Sequence, residues 1–599
     1  MNDYWDIVEA IVTERGRRLR RYRYFEDLWN AIEEEASLIF LQAPTGAGKT
    51  EAILALFLRD LVDGKRRWHS MLHVLPTRSL VFNMFNRICR SLRACRIKFG
   101  RPSRVVISYD HGGFIPAKTF LEGDVTTTTY DTLLYTFYGF RSYGHHLLLS
   151  IGKIAGSLIV LDEVHLLQDS SWYAPALLPY HISNLIKYGG TVVVMTATLP
   201  QIFLKEVLNA VRWIDANVRT DPIVMNSRID KVERGKVRVE LLDKDLLDVA
   251  VDLVKENEKP ALLIFNTVER AVKAYQLLRE NRCGDVELLH SRIIAGVRRS
   301  REEIFEKSEK RKDLIIVATQ VAEVGIDYDF RTLATELSPI DSLIQRLGRC
   351  GRRRNGVAFI SMKKENAVKV YPEIVIEETV KSLDEERLGR SVTDVEVSSE
   401  LVNEVYTEEV IKNMRKAVKG IEDVLSDSRS FIKEFSSNLF IARSSFEDAA
   451  ANLLRLGVEL PCILLPDELY REVLDLCKEN ESNELPWPID VEDVISLMEK
   501  NSFSLSLPAG RKINIQLPGI MHEICGKKFY LQIHIAYRQR SEDSSGEILP
   551  TILKRERINL ARISKGFGLA DPFIINPEYY SFYDEGYHLG LVKPYGRSS

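Results

Sequence analysis

The run Gln42-Ala43-Pro44-Thr45-Gly46-Ala47-Gly48-Lys49-Thr50 constrains this chain more than any other stretch. The apolar segment Ser37-Leu38-Ile39-Phe40-Leu41 before it reads as a buried strand, and Glu51 to Leu58 after it has a helical pattern. Strand, small-residue loop and helix in that order make a phosphate-binding loop. Small residues let successive backbone N–H groups curl around phosphate oxygens, and the start of the helix adds the positive end of its dipole. On this reading Ala43, Pro44, Thr45, Gly46, Ala47 and Gly48 cradle the β- and γ-phosphates of ATP. Lys49 sets its ammonium on them, and Thr50 offers a hydroxyl to Mg²⁺. Ala43 stands where the common pattern has glycine, which is tolerated if its φ stays below zero.

At 599 residues the chain is too long for one core, so several domains are expected. Its formal charge of −3 means that any nucleic-acid surface is a local groove and not a global basic field. The sequence holds no run of eighteen apolar residues, and Met1 to Asp6 lacks the basic start of a signal peptide. A cytoplasmic protein without a membrane partner is expected. Seven cysteines at irregular spacing, with no C-x-x-C pair, argue against a disulfide framework and a structural zinc site.

Further strands are predicted at 71–75 and 105–108, with Thr126 to Thr129 leading into Tyr130. Residues at the carboxyl ends of parallel strands are where an open α/β sheet presents its ligands. Thr77, Arg78, Thr127 and Thr128 therefore suit the phosphates of a nucleic-acid strand, although as lone features such residues are more often helix N-caps. The strand Ser157 to Leu161 delivers two adjacent acids, Asp162 and Glu163. Asp162 would hold Mg²⁺, directly or through water, and Glu163 would orient or deprotonate the attacking water. Adjacent acids after a strand arise by chance as turn residues. About 110 residues after a phosphate loop they are specific. A strand at 191–195 then ends in Thr196-Ala197-Thr198, whose hydroxyls, with His165, could couple the acids to a nucleic-acid groove.

Polar residues 215–236 read as a linker. A second α/β unit follows, with strands expected at 261–265, 286–289, 314–318 and 357–360. It carries no phosphate loop of its own. It offers Thr267, Ser291, Arg292 and Thr319 as nucleic-acid contacts, Gly325 and Asp327 near the nucleotide, and the run Gln345-Arg346-Leu347-Gly348-Arg349-Cys350-Gly351-Arg352. Two glycines inside a helix would cost roughly 1 kcal/mol each. The cost makes sense if Arg349 and Arg352, with Gln345, reach across a cleft to the γ-phosphate as arginine fingers.

Arg15, Arg17, Arg18, Arg20, Arg21 and Arg23 interleave with Tyr22, Tyr24 and Phe25. A solvated helix face is one reading. The other stacks one of these rings on adenine and turns the arginines to phosphates or a partner. His145-His146 and Asp110-His111 read as loop or core polar groups rather than metal ligands.

Taken in order, the phosphate loop, Pro76-Thr77-Arg78, the D-E-V-H box Asp162 to His165, Thr196-Ala197-Thr198, Ala318 to Asp327 and Gln345 to Arg352 resemble the motifs of superfamily 2 helicases over about residues 20–360. D-E-V-H, Leu289-His290-Ser291-Arg292 and the tail Asn576-Pro577-Glu578-Tyr579-Tyr580 with Tyr583-Asp584-Glu585-Gly586 are similar to the CRISPR-associated helicase of type I interference. The resemblance implies an α/β fold of two tandem RecA-like domains, residues 1–225 and 226–375, followed by a mixed α+β accessory region at 376–599. It implies ATP and Mg²⁺ as cofactors, 3′ to 5′ motion on single-stranded DNA, and a crRNA-guided surveillance complex as partner.

Two departures stand out. Where relatives carry a Gln that recognises adenine, this chain has Glu26 and its neighbours. The family's N-terminal HD nuclease is not found ahead of the loop, so a separate HD-type nuclease subunit is expected. Beyond the motor, 376–500 looks charged and helical, with helices at 404–418 and 491–500, and Phe529 to Tyr537 alternates like a half-buried strand. A general repair or RNA-remodelling helicase and a nucleotide-gated clamp remain as alternatives.

Overall fold

The computed structural model describes residues 2–591 apart from 15, 17, 45, 101–103, 112–120, 141–146, 227–228, 231–233, 308–310, 312, 324–327, 438–452, 455–456, 481, 483, 487, 489–490, 509–520, 526, 540–545, 556–571 and 584–586. Its first sheet holds β1 (Leu38–Gln42), β2 (Ser70–Leu75), β3 (Ile107–Asp110), β4 (Val125–Thr129), β5 (Ser157–Leu161), β6 (Thr191–Thr196) and β7 (Ile223–Val224). They pair in the order β3-β4-β2-β5-β6-β1-β7, all parallel. Such strands are covered on both faces, which is why they read as unbroken apolar runs. In β1, Leu38 and Phe40 enter one core while Ile39 and Leu41 enter another on the opposite face. The expected linker at 215–236 is therefore not wholly irregular, because Ile223 and Val224 extend this sheet beside Leu41 and Gln42.

The second sheet is also parallel, in the order β10-β11-β9-β12-β13-β8, from β8 (Val237–Leu242), β9 (Ala261–Ile264), β10 (Asp285–Leu289), β11 (Leu314–Ala318), β12 (Thr332–Glu336) and β13 (Gly356–Ser361). Two of its strands escaped the sequence reading. β8 mixes Arg238 and Glu240 among its apolar residues at the sheet edge, and β12 interrupts its run with Thr332, Thr335 and Glu336.

Helices Glu373–Ser382, Glu385–Ser391, Val395–Val405, Glu408–Lys416 and Ile421–Ser437 bridge the two α/β units. The helix expected over 404–418 is broken, because the Thr407 side chain accepts from Val410 N and starts a new helix. The Tyr173 hydroxyl meets Ser428 Oγ at 2.9 Å, Asn184 Nδ2 donates to the Ile432 carbonyl at 3.0 Å, and the Tyr406 hydroxyl donates to Asp341 at 2.7 Å. One apolar core runs through both α/β units and these helices.

A third, largely antiparallel sheet follows, and its strand Lys527–Gln539 contains the predicted alternating segment. The predicted helix at 491–500 is the observed Val491–Asn501. A two-stranded hairpin, Tyr580–Tyr583 with Tyr587–Leu591, ends the described chain. Among the described residues no helix is long and apolar enough to cross a membrane.

Candidate nucleotide and nucleic-acid site

The phosphate loop leaves the carboxyl end of β1 and enters the helix Lys49–Asp63. Gly46 and Gly48 take φ of +86° and +95°, conformations that a side chain would strain. The loop is held from outside the motif: the Tyr24 hydroxyl donates to the Ala47 carbonyl at 2.8 Å, and the Phe25 ring lies 3.3 Å from where a Cβ on Gly48 would sit. Lys49 is buried and its ammonium donates to the Ala43 carbonyl at 2.7 Å. Pro44 and Ala47 complete the loop, Thr50 is buried at the first turn of the helix, and Thr45 lies outside the described residues.

Asp162 follows β5 and is buried. Its Oδ2 meets His73 Nε2 at 3.0 Å, and its Oδ1 accepts from Glu163 N at 3.0 Å. Burial pushes this carboxyl up, but the His73 hydrogen bond and the nearby Lys49 outweigh it and hold it below the usual range. Glu163 adopts φ +52°, a left-handed backbone that a non-glycine residue holds at a cost. Burial raises its carboxyl, Lys49 and Arg349 oppose the rise, and neighbouring Asp162 adds to it. Among the described residues its buried Oε2 accepts no hydrogen bond, with His165 Nδ1 3.5 Å away, so a lone pair there can take a proton. His165, buried and with its pKa pushed down to about 3, stays neutral. Its Nδ1 meets Thr196 Oγ1 at 2.9 Å, and that hydroxyl donates to the Thr198 carbonyl at 2.6 Å. Nδ1 therefore carries the proton. The three predicted coupling residues form one chain of contacts.

Across the cleft, the helix Ile340–Leu347 ends at Gly348. The expectation of two glycines inside a helix is corrected: Gly348 caps it and Gly351, with φ +67°, turns beyond it, so neither weakens the helix interior. Gln345 is buried and lines a cavity with Pro44, Ala197, Arg234 and Gly348. Arg349 is buried, donates to the Glu323 carbonyl and is near enough to Glu163 to lower its carboxyl. Arg352 instead turns back, with Nε donating to the Gly348 carbonyl at 3.2 Å. Gly325 and Asp327 lie outside the described residues.

The predicted nucleic-acid contacts divide. Thr77, Arg78 and Ser291 are exposed, and Thr267 and Arg292 half-buried. Thr77 and Thr267 also cap helices, accepting from Leu80 N and Arg270 N. Thr127 and Thr128 are corrected: both are fully buried in β4, an interior strand flanked by β3 and β2, and have no surface to offer a groove. Thr319 is likewise buried, just past β11. The aromatic segment is corrected too. Tyr22, Tyr24 and Phe25 are buried in one core with Ala43 and Ala47 of the phosphate loop, so these rings do not lie on a solvated helix face.

Three contributors were missed. His73 holds Asp162, Tyr24 holds the loop, and Arg346, fully buried, ties Glu323 Oε1, Thr335 Oγ1, Asn266 Oδ1 and the Tyr371 hydroxyl together at 2.8–3.2 Å. A histidine inside an otherwise apolar strand was the one signal available for His73. The partners of Tyr24 and Arg346 are too distant in sequence to leave any.

Residues 24–207 match the DEAD/DEAH box helicase family, and residues 257–355 match the family described as CRISPR-associated nuclease/helicase Cas3, C-terminal. The CRISPR-associated helicase Cas3 of Thermoproteus tenax is 30% identical over 396 residues, 64% of this chain and 66% of that protein. The chain spans about half or less of the other curated relatives it matches. Among solved structures, T. fusca Cas3 with ADP superposes at TM-score 0.59 and 18% identity, over 83% of this chain and 65% of that one. A chain of a CRISPR RNA-guided surveillance complex, pre-nicking, does so at 0.55 and 17%, over 95% and 68%. At that identity the two structures speak for the fold. With a helicase family on the first sheet, a Cas3 family on the second and a 30% identical Cas3 helicase, this chain belongs to the Cas3 helicases of superfamily 2.

Proposed function

We propose that this chain is an ATP-driven translocase and helicase on single-stranded DNA, working in type I CRISPR interference. The observation that carries the reading is Glu163, whose buried Oε2 accepts no hydrogen bond among the described residues, close enough to Arg349 of the opposite domain to feel its charge. A phosphoryl group between them would meet a proton acceptor on one side and a cation on the other.

Lys49 exchanges the Ala43 carbonyl for phosphate oxygens as ATP enters, while the loop N–H groups close around them. Thr50 and Asp162 fit a Mg²⁺ ion, since Asp162 is kept ionised and such sites need few protein oxygens beside phosphate and water. Bound there, the ion would neutralise charge on the phosphates. Glu163 takes the proton of the attacking water. Loss of the γ-phosphate frees Arg349, the cleft relaxes, and the His165 to Thr196 contact passes the change to Thr198. Thr77 and Arg78 on one domain and Thr267, Ser291 and Arg292 on the other then grip the strand alternately. Phosphate contacts carry no sequence information, so targeting falls to a crRNA-guided surveillance complex. Cutting falls to a separate HD-type nuclease, whose test is whether the chain alone leaves single-stranded DNA intact with Mn²⁺ or Ni²⁺.

The deciding experiment compares ATP turnover with single-stranded DNA, with RNA and without either, and then displacement of a labelled strand. Stimulation by DNA with ATP-dependent displacement supports the reading. Stimulation by RNA would make the chain an RNA-remodelling helicase, and turnover without displacement a clamp.

A further inference from the structure

Arg234 lies in the connector between the two sheets, outside every helicase motif, yet its side chain enters the nucleotide cleft. Its Nη2 donates to the Gly348 carbonyl at 2.8 Å and to the Cys350 carbonyl at 2.7 Å, the two peptide groups that bracket Arg349. It lines the cavity shared by Pro44, Ala197 and Gln345. Among the described residues it makes no ion pair with a carboxylate, and its buried Nε has no acceptor. Burial and the neighbouring Arg352 lower its pKa to about 9, so it keeps its charge at neutral pH.

The connector is stitched to the same loop on both sides of Arg234. Lys236 N donates to Asn355 Oδ1 at 2.9 Å, and Gly356 N donates to the Lys236 carbonyl at 2.9 Å. Gly235 runs so close that a Cβ there would fall 2.0 Å from the Arg354 carbonyl oxygen. A guanidinium whose hydrogen bonds go to two carbonyls around one arginine fixes where that arginine points.

We infer that Arg234 is a positioning residue for nucleotide turnover: it clamps the loop 348–350 to the interdomain connector and so aims Arg349 at the cleft. When the domains rotate, the connector carries the loop with it. This inference rests on the ATPase reading above.

The test measures steady-state ATP turnover of wild type, Arg234→Ala, Arg349→Ala and the double variant, with Arg234→Met as a second variant that keeps the aliphatic stem. Misplacing a group by about 1 Å costs on the order of 10²-fold in rate. Arg234→Ala and Arg234→Met should therefore lose about that much in kcat, while KM for ATP stays within about threefold. Because Arg234 acts through Arg349, the double variant should be no slower than Arg349→Ala alone. A wild type that does not turn over ATP would sink the functional reading itself. Turnover in wild type, loss in Arg349→Ala and none in either Arg234 variant would overturn this inference alone. So would a raised KM with kcat held, or losses that multiply in the double variant.

Discussion

The Tyr406 hydroxyl donates to Asp341 Oδ1 at 2.7 Å, and both side chains are buried. Tyr406 also faces Trp172 of the first α/β unit, ring centroids 5.3 Å apart, while Asp341 sits in the first turn of the helix that carries Gln345 and Arg346. One side chain of the bridging helices thus touches both halves of the motor.

Burial pushes the Asp341 carboxyl up to about 6, the Tyr406 hydrogen bond opposing the rise. A raised carboxyl means that the folded chain binds this proton more tightly than the unfolded one. Below about pH 4 both states hold it and no penalty exists; as pH rises to about 6 the penalty grows, and above that it is complete. From 3.8 to about 6, at ~1.4 kcal/mol per pH unit, it reaches roughly 3 kcal/mol. Asp341→Asn, which keeps an acceptor for Tyr406, should melt higher than wild type at pH 7.5, with the difference vanishing near pH 4. Equal melting at both pH values would remove this account.

Much of the motor was legible because its chemistry is local. A phosphate loop needs its residues in one run, and the acids need one strand tip, so spacing alone singled out Lys49, Asp162 and Glu163, which the fold brings within electrostatic reach of one another. Depth was not legible. Thr127 and Thr128 sit in a strand whose flanks, β3 and β2, are set by pairings far apart in sequence, and nothing in Thr126 to Thr129 marks them as interior. Arg234 was hidden for the same reason: its partners lie more than a hundred residues away. The short edge strand β7 was lost among polar neighbours.

Lys49→Ala should abolish ATP turnover, since the γ-phosphate loses the cation now held at the Ala43 carbonyl. Glu163→Gln should still bind nucleotide yet hydrolyse it at least ~10²-fold more slowly, because an amide cannot take the proton of water. Binding of a fluorescent ATP analogue, read beside phosphate release, checks both. Wild-type turnover in either variant would remove the assigned roles.

Arg349 and Arg352 should not behave alike. Arg349 is buried near Glu163, whereas the Arg352 guanidinium turns back to its own loop. Arg349→Ala should lower kcat by about 10³-fold or more, with little change in KM. Arg352→Ala should cost about tenfold less than that. A larger loss at Arg352 would mean that the loop rearranges when ATP binds.

His165→Ala should separate hydrolysis from movement. The imidazole touches Thr196 and stays neutral, so its loss breaks the path to Thr198 without removing a charge from the cleft. ATP turnover without DNA should persist within about threefold, while DNA stimulation and strand displacement fall by about tenfold or more. If both activities fell in parallel, His165 would belong to the hydrolytic step.

The terminal hairpin predicts a role for a single methyl group. Gly590 has φ +83°, and a Cβ there would lie 2.6 Å from the Arg292 carbonyl oxygen and 2.7 Å from His290 Cε1. Around it, Leu591 N donates to the Arg292 carbonyl at 3.1 Å, His290 Nε2 donates to the Leu589 carbonyl at 2.8 Å, and the Tyr580 hydroxyl accepts from Ile294 N at 3.2 Å. The hairpin therefore shapes the segment that presents Ser291 and Arg292. Gly590→Ala adds about 1 kcal/mol of backbone strain and a collision with main chain that no rotamer relieves. It should weaken single-stranded DNA binding and, by withdrawing one phosphate contact at Arg292, reduce the slope of log K against log salt by about 0.7. Turnover without DNA should hold, since the phosphate loop and Glu163 lie on the other domain. Unchanged DNA affinity and salt slope in a folded Gly590→Ala chain would show that the hairpin does not set the position of Arg292.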